Sequence, residues 1–265
     1  MESKPDGGPF DSAQGKPWTV DGESTKVDGS ALSTVYGPRS NWSHYFNAIH
    51  AIAWKDLAAE LRSRELLTSM FVFATLIILI FYFALDLDNR TREYVAAGVL
   101  WVTFAFAGTI GLNRAMAIEK DRGCLDGLLL APVDRSTIYF GKMISSLVFM
   151  LVVEIITLPV YSIFYNVNLF NVGLIGVILL GSLGYTAVGT LLSAMTVQTR
   201  TRDILLPILL FPVIVPVLVA SVKASSGFLQ GFEIGDIMPW INILLVYDTI
   251  FIAFAFIIFD FVVEE

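Results

Sequence analysis

Six long apolar runs, separated by polar stretches, dominate the chain from residue 66 onward: 66–85, 95–112, 143–165, 169–197, 204–222 and 240–259. A helix rising about 1.5 Å per residue needs roughly 18 or more such residues to cross a hydrocarbon layer of about 30 Å. All six runs meet that length, so the pattern predicts an all-α integral membrane protein with six transmembrane helices. The turns at 86–94 and 166–168 are short. The stretch 223–239 instead mixes Gly227, Gly231 and Gly235 with Phe228, Phe232 and Ile237. It reads as an interfacial or re-entrant connector rather than as part of a crossing.

Ahead of the first span the pattern changes twice. Residues 1–42 are rich in Gly, Ser, Asp, Lys and Pro and show no apolar periodicity. Such a segment buries too little apolar surface to offset its ordering entropy, so a disordered tail is expected. It also lacks the apolar core of a signal peptide. Over 43–65, Phe46, Ile49, Ala53, Leu57 and Leu61 recur at three- and four-residue spacing, one face of a helix. Lys55, Asp56, Glu60 and Arg62 take other faces, with Trp42, Tyr45 and Trp54 as interfacial anchors. This predicts an amphipathic interfacial helix along the membrane surface. A soluble amphipathic helix packed on another protein would carry the same pattern.

Composition supports the membrane class: 55% hydrophobic residues, 15% charged, and a mean hydropathy of +0.71. The net charge of −7 says little about partners, because six acids fall within the first 28 residues. No basic stripe points to nucleic acid. Cys124 is the sole cysteine, which excludes an intrachain disulfide and a thiol metal cluster. Lys and Arg set the orientation. With the N-terminus inside, the inner flanks hold Lys55, Arg62, Arg64, Arg114, Lys120, Arg122, Arg135, Lys142, Arg200 and Arg202, against Arg90, Arg92 and Lys223 outside. Both termini and the 113–142 segment are therefore expected in the cytoplasm.

That segment is the longest polar stretch between apolar runs. It carries five of the seventeen basic residues, four acids and an apolar patch at Leu125, Leu128, Leu129 and Leu130. Ala115, Met116, Ala117 and Ile118 favour continuing the second span as helix to Glu119. Asp121, Arg122 and Gly123 then break it, and Asp134 or Ser136 is placed to cap the next helix. The segment is either a docking element for a soluble partner or an ordinary charged loop obeying the positive-inside bias. Within the spans, Glu154 and Asp248 stand out. A mid-membrane charge costs about 2.5 kcal/mol or more, so each should face protein or water. They line a translocation path or a subunit contact, or are neutral carboxyls hydrogen-bonded to a neighbouring helix. Gly173, Gly176, Gly181, Gly184 and Gly189, with Ser193, predict close helix packing. Pro207, Pro212 and Pro216 make the fifth span a hinge or a bent helix. No His–carboxylate or Ser–His arrangement lies in the spans, so no catalytic residue is expected.

The pattern N-R…E-x-x-x-G, L-L-L-A-P-V-D-R, then I-Y-F-G-K (Asn113 to Lys142) resembles the haem exporter protein B (CcmB) family. The stretch W-K-D-L…E-L-R-S-R-E ahead of the first span, and a third span with Glu154 and Pro159, are similar to it as well. The resemblance covers about residues 50–262. It implies a type-2 ABC exporter permease-like fold and a place in the cytochrome c maturation system of a bacterial or archaeal cytoplasmic membrane. The implied partners are a separate ABC ATPase, the haem-handling membrane partner of that complex, and a second copy of the chain. The ATPase-coupling position matches Glu119, Lys120, Asp121, Arg122 and Gly123, with Leu125 beside them. Gly15-Lys16 and Gly141-Lys142 both lack the remainder of a phosphate-binding loop, so ATP is expected on the partner. Haem would be cargo rather than cofactor, since His44 and His50 both lie ahead of the spans. A permease for a lipid, drug or polysaccharide would share this topology. A membrane assembly subunit that moves nothing is the reading from a different class.

Overall fold

The computed structural model describes residues 42–85, 89–121, 135–167, 169, 171–197, 199 and 201–262. Residues 1–41 of the expected tail, the turn at 86–88 and the middle of the 113–142 segment lie outside them. The described residues form seven helices: α1 (Trp42–Ser63), α2 (Glu65–Ala84), α3 (Asn89–Asp121), α4 (Arg135–Tyr165), α5 (Val172–Thr196), α6 (Arg202–Gln230) and α7 (Ile234–Val262). Helices α2 to α7 each supply one stretch long and apolar enough to cross a membrane, so the six expected spans are the six found.

Two helices run well past the apolar stretches that announce them. Helix α3 has 33 residues and continues to Asp121; α4 has 31 and begins at Arg135. Both extensions enter the 113–142 segment from its two ends. The connector at 223–239 is a correction to the sequence reading. Helix α6 continues unbroken to Gln230, Gly231 closes it in the left-handed conformation (φ 71°), and α7 starts at Ile234. Of the three glycines there, Gly227 marks a helix contact, Gly231 ends α6, and Gly235 has open space beside it. A Cβ on Gly227 would sit 2.8 Å from Ile237 of α7. The prolines Pro207, Pro212 and Pro216 all lie inside the one helix α6.

Helices α3 and α5 are the most enclosed of the six spans, and α7 is the least. Small residues are what let α5 take the centre, since only they allow backbones to approach closely in a layer without a hydrophobic driving force between helices. Gly181 receives the indole of Trp101 on α3, Gly189 receives Leu112, and Gly173 receives Phe228 of α6. Several polar side chains in this interior bond to one another or to the backbone. Trp101 Nε1 donates to Ser225 Oγ over 2.9 Å, Tyr139 to the Ala187 carbonyl over 2.9 Å, and Tyr161 to the Ala96 carbonyl over 2.7 Å. Ser193 donates to the Leu112 carbonyl over 3.1 Å, beside the Gly189 contact. Each bond removes the penalty of an unpaired polar group away from water.

The joint between α1 and α2 is one residue, Arg64, with a left-handed backbone (φ 57°) uncommon for a non-glycine. Glu60, one turn earlier, holds it. Its Oε1 accepts from the backbone N–H of Leu66 at 2.8 Å and of Leu67 at 2.9 Å, capping the free donors of the first turn of α2. A carboxylate there also meets the positive end of the helix dipole. Glu60→Ala is therefore expected to lower stability by about 1–2 kcal/mol in detergent unfolding, with Glu60→Gln retaining most of it because an amide oxygen still accepts. Equal stability of the alanine variant and the parent would dismiss the cap.

Candidate functional site

Cross-helix polar contacts concentrate at the end of the bundle where α1 lies. Helix α1 is the first component. Ile49, Ile52 and Ala53 are buried against the bundle, whereas Phe46, Trp54 and Leu61 are exposed. The single apolar face expected from spacing is thus two adjoining faces, one packed on protein and one exposed. Gly141 of α4 makes the contact close: a Cβ there would fall 2.7 Å from Ile52 Cγ2. Asp56 and Glu60, expected on the polar side, instead continue at four-residue steps the bundle-facing row that begins at Ile52.

Asp56 meets Lys142 of α4 at 3.0 Å, and their side chains are only 12% and 7% exposed. Ser145, one turn further along α4, donates to the same Asp56 oxygen over 3.1 Å. Tyr45 at the start of α1 donates to Ser136 Oγ at the start of α4 over 3.2 Å. Two polar contacts three turns apart thus fasten α1 along the first half of α4. A cavity of about 210 Å³ opens between α1, α3 and α4, lined by Asp56, Glu60, Lys142, Ser145, Met116 and Phe149 among others. In the sequence, Lys142 bears on orientation and on the family resemblance and Asp56 falls on a polar face, but spacing pairs neither residue and leaves Ser145 unassigned. The detectable signal was the Ile52–Asp56–Glu60 row, but its partner lies 86 residues away.

The extension of α3 is fastened in its turn. Asn113 donates to Asp203 of α6 over 2.9 Å, Arg114 pairs with Glu65 of α2 at 2.8 Å, and Lys120 Nζ donates to the Val197 carbonyl at the C-cap of α5 over 2.8 Å. The last contact places a cation where the carbonyl ends of α5 concentrate negative charge. Of the residues expected to couple to an ATPase, Glu119, Lys120 and Asp121 form the last turn of α3. Arg122, Gly123 and Leu125 lie outside the described residues.

The two intramembrane carboxyls are both buried and both abut α5. Glu154 of α4 accepts a hydrogen bond from Ser182 Oγ at 2.6 Å, while its Oε2 has no partner among the described residues. Asp248 of α7 presses against Gly184, where a Cβ would collide with Oδ1, and neither carboxyl oxygen has a partner among the described residues. Ser182 and Gly184 are two residues apart, about 200° around the helix, so the carboxyls address α5 from opposite sides. They do not form one joint site. Met116, Met143 and Met150 are buried and Met195 is exposed. His50 is exposed and stacks on Trp54, with ring centroids 6.3 Å apart.

The contacts described join helix to helix, and comparison with known proteins gives the family of the chain. The family model described as "CcmB protein" matches residues 47–259, from α1 into the end of α7. Among curated proteins, "Heme exporter protein B" of Rhodobacter capsulatus is 23% identical over 187 residues, covering 70% of this chain and 86% of the relative. The protein of the same name from Pseudomonas aeruginosa is 20% identical over 176 residues, covering 66% and 79%. That from Bradyrhizobium diazoefficiens is 23% identical over 186 residues, covering 69% and 83%. The matched region takes in all six spans and both flanks of the polar segment, and on that extent the chain belongs to the CcmB family.

Proposed function

We propose that the chain is the permease subunit of an ABC transporter complex in cytochrome c biogenesis. A separate ATPase drives it through the 113–142 segment, either for haem export or for release of a haem-loaded chaperone from a partner. In this reading both termini and the segment face the cytoplasm of a bacterial cytoplasmic membrane. The haem-handling membrane subunit of the complex and a second copy of the chain complete the assembly. The relatives' shared name supplies the cargo class, and the lysine and arginine distribution supplies the orientation.

The observation that carries the coupling role is the unbroken helix α3. Its 33 residues span about 50 Å at 1.5 Å per residue, well beyond a hydrocarbon layer of about 30 Å. A force applied near Glu119 and Asp121 therefore reaches the packed interior without crossing a loop. Lys120 passes it to the end of α5, and Arg114 to the start of α2. On the far side of the segment, α4 is tied to α1 through Asp56 and Lys142.

The test is co-purification of the detergent-solubilised chain with its cognate ATPase, comparing the parent with the variant Glu119→Lys/Arg122→Glu. Retention by the parent and loss by the variant are expected. Retention by both would move the docking site elsewhere. Failure of the parent to hold any ATPase would favour a membrane assembly subunit without a motor.

A further inference from the structure

The geometry points to a binding groove for an anionic glycerophospholipid on the outer face of α2 and α3, a site independent of the transport reading above. The groove has a volume of about 630 Å³ and opens sideways, toward the surroundings of the bundle. Its walls are Val72, Phe73 and Leu76 of α2 and Ile110 of α3, and at its α1 end stand Arg64 and Arg114. Polarity changes along its length in one direction only. Two guanidinium groups and Glu65 come first, then Thr68 and Ser69, then apolar side chains alone.

That gradient identifies the occupant. From Arg64 to Leu76 the groove runs 12 residues, about 18 Å along α2. One leaflet of a 30 Å hydrocarbon layer is about 15 Å deep, so the groove covers a single acyl chain from its head to near the bilayer midplane. A transmembrane partner helix would instead favour small residues for close approach along the contact. Here Val72 and Leu76 are about half exposed, and the small lining residues Ser63, Thr68 and Ser69 sit only toward the head end, with none along the apolar length. At the head end charge is complementary to a phosphodiester. Arg114 is matched by Glu65 at 2.8 Å, whereas Arg64 has no ion pair among the described residues, leaving one net positive charge. Arginine is suited to phosphate because its planar fork donates two parallel hydrogen bonds. Arg64 stands there because of the left-handed joint that Glu60 fixes. Its N–H donates to the Glu60 carbonyl at 2.7 Å and its own carbonyl accepts from Thr68 at 3.1 Å. Backbone conformations of this uncommon kind recur where a side chain is held for a ligand.

The experiment is native mass spectrometry of the full-length chain, titrated in detergent with equal concentrations of phosphatidylglycerol and phosphatidylcholine. The parent should retain phosphatidylglycerol preferentially. Arg64→Gln should reduce that preference about fivefold, the factor equivalent to about 1 kcal/mol per basic residue at an anionic surface. Arg64→Lys should keep it, and Leu76→Trp, which fills the apolar end, should lower retention of the lipid. Elution as a single sharp species separates loss of the site from loss of the fold, and Arg64→Lys carries the comparison if Leu76→Trp fails that control. Equal retention of the two lipids by the parent, an unchanged preference in Arg64→Gln, or displacement by millimolar inorganic phosphate would each overturn the proposal. So would a photo-crosslinker at Val72 that captures a second polypeptide instead of lipid.

Discussion

Asp56→Ala is expected to destabilise the protein by about 3 kcal/mol, the lower end of the range for breaking a buried ion pair from one side. The cost arises mainly from the partner. Lys142 keeps a charge in a site where its side chain is 7% exposed, after its carboxylate at 3.0 Å is gone. Some exposure of Asp56 itself keeps the figure from the upper end. The measurement is unfolding of the detergent-solubilised chain by increasing denaturant, with a double-mutant cycle. Asp56→Ala/Lys142→Met should recover most of the loss, because an apolar pair of similar volume carries no uncompensated charge. A double variant as unstable as the single one would show that Lys142 is held by other groups, and that α1 is anchored chiefly by Ile49 and Ile52.

Gly181→Leu is expected to have an effect at least as large, about 3 kcal/mol or more, with poor recovery of folded protein. A Cβ at this position runs into the rim of the Trp101 indole and lies 2.5 Å from Ser221 Oγ. Trp101 cannot swing aside cheaply, since it is fully buried and its Nε1 is bonded to Ser225. Overpacking of an interior of this kind forces either the rotamer or the helix axis to shift. The control is on the same helix. Gly176 has nothing within 4 Å of its Cβ direction, so Gly176→Leu should leave unfolding unchanged or slightly raise stability through better helix propensity. Equal behaviour of the two leucine variants would refute the close approach of α3 to α5.

The spans were legible in the sequence because the hydrocarbon layer imposes a length that few other structures need. Glycines in the fourth span were legible for a related reason, and Gly181, Gly184 and Gly189 do meet neighbouring helices. The connector 223–239 was misread because a glycine–phenylalanine alternation suits both an interfacial loop and an intimate helix pair. Only the partner Ile237 and the contact of Phe228 with Gly173 distinguish them. Asp56 was opaque for a different reason. A charged residue on a surface helix is ordinarily solvated, and nothing near it in sequence announces a lysine 86 residues away on the same bundle face. Spacing reveals which residues share a helix face, but not which of two adjoining faces meets protein.

The position of Asp248 bears on how the chain is made and kept. It lies near the middle of the least enclosed helix and is shielded only once α7 has settled against Gly184. Helix α7 also follows the other five spans in chain order, so it is made after them. A newly inserted α7 that has not yet docked presents a carboxyl to lipid, at about 2.5–3.5 kcal/mol on insertion scales. Completion of the bundle hides it. Asp248 thereby distinguishes docked molecules from undocked ones, and chains whose α7 never seats should be the ones that membrane quality-control proteases remove first.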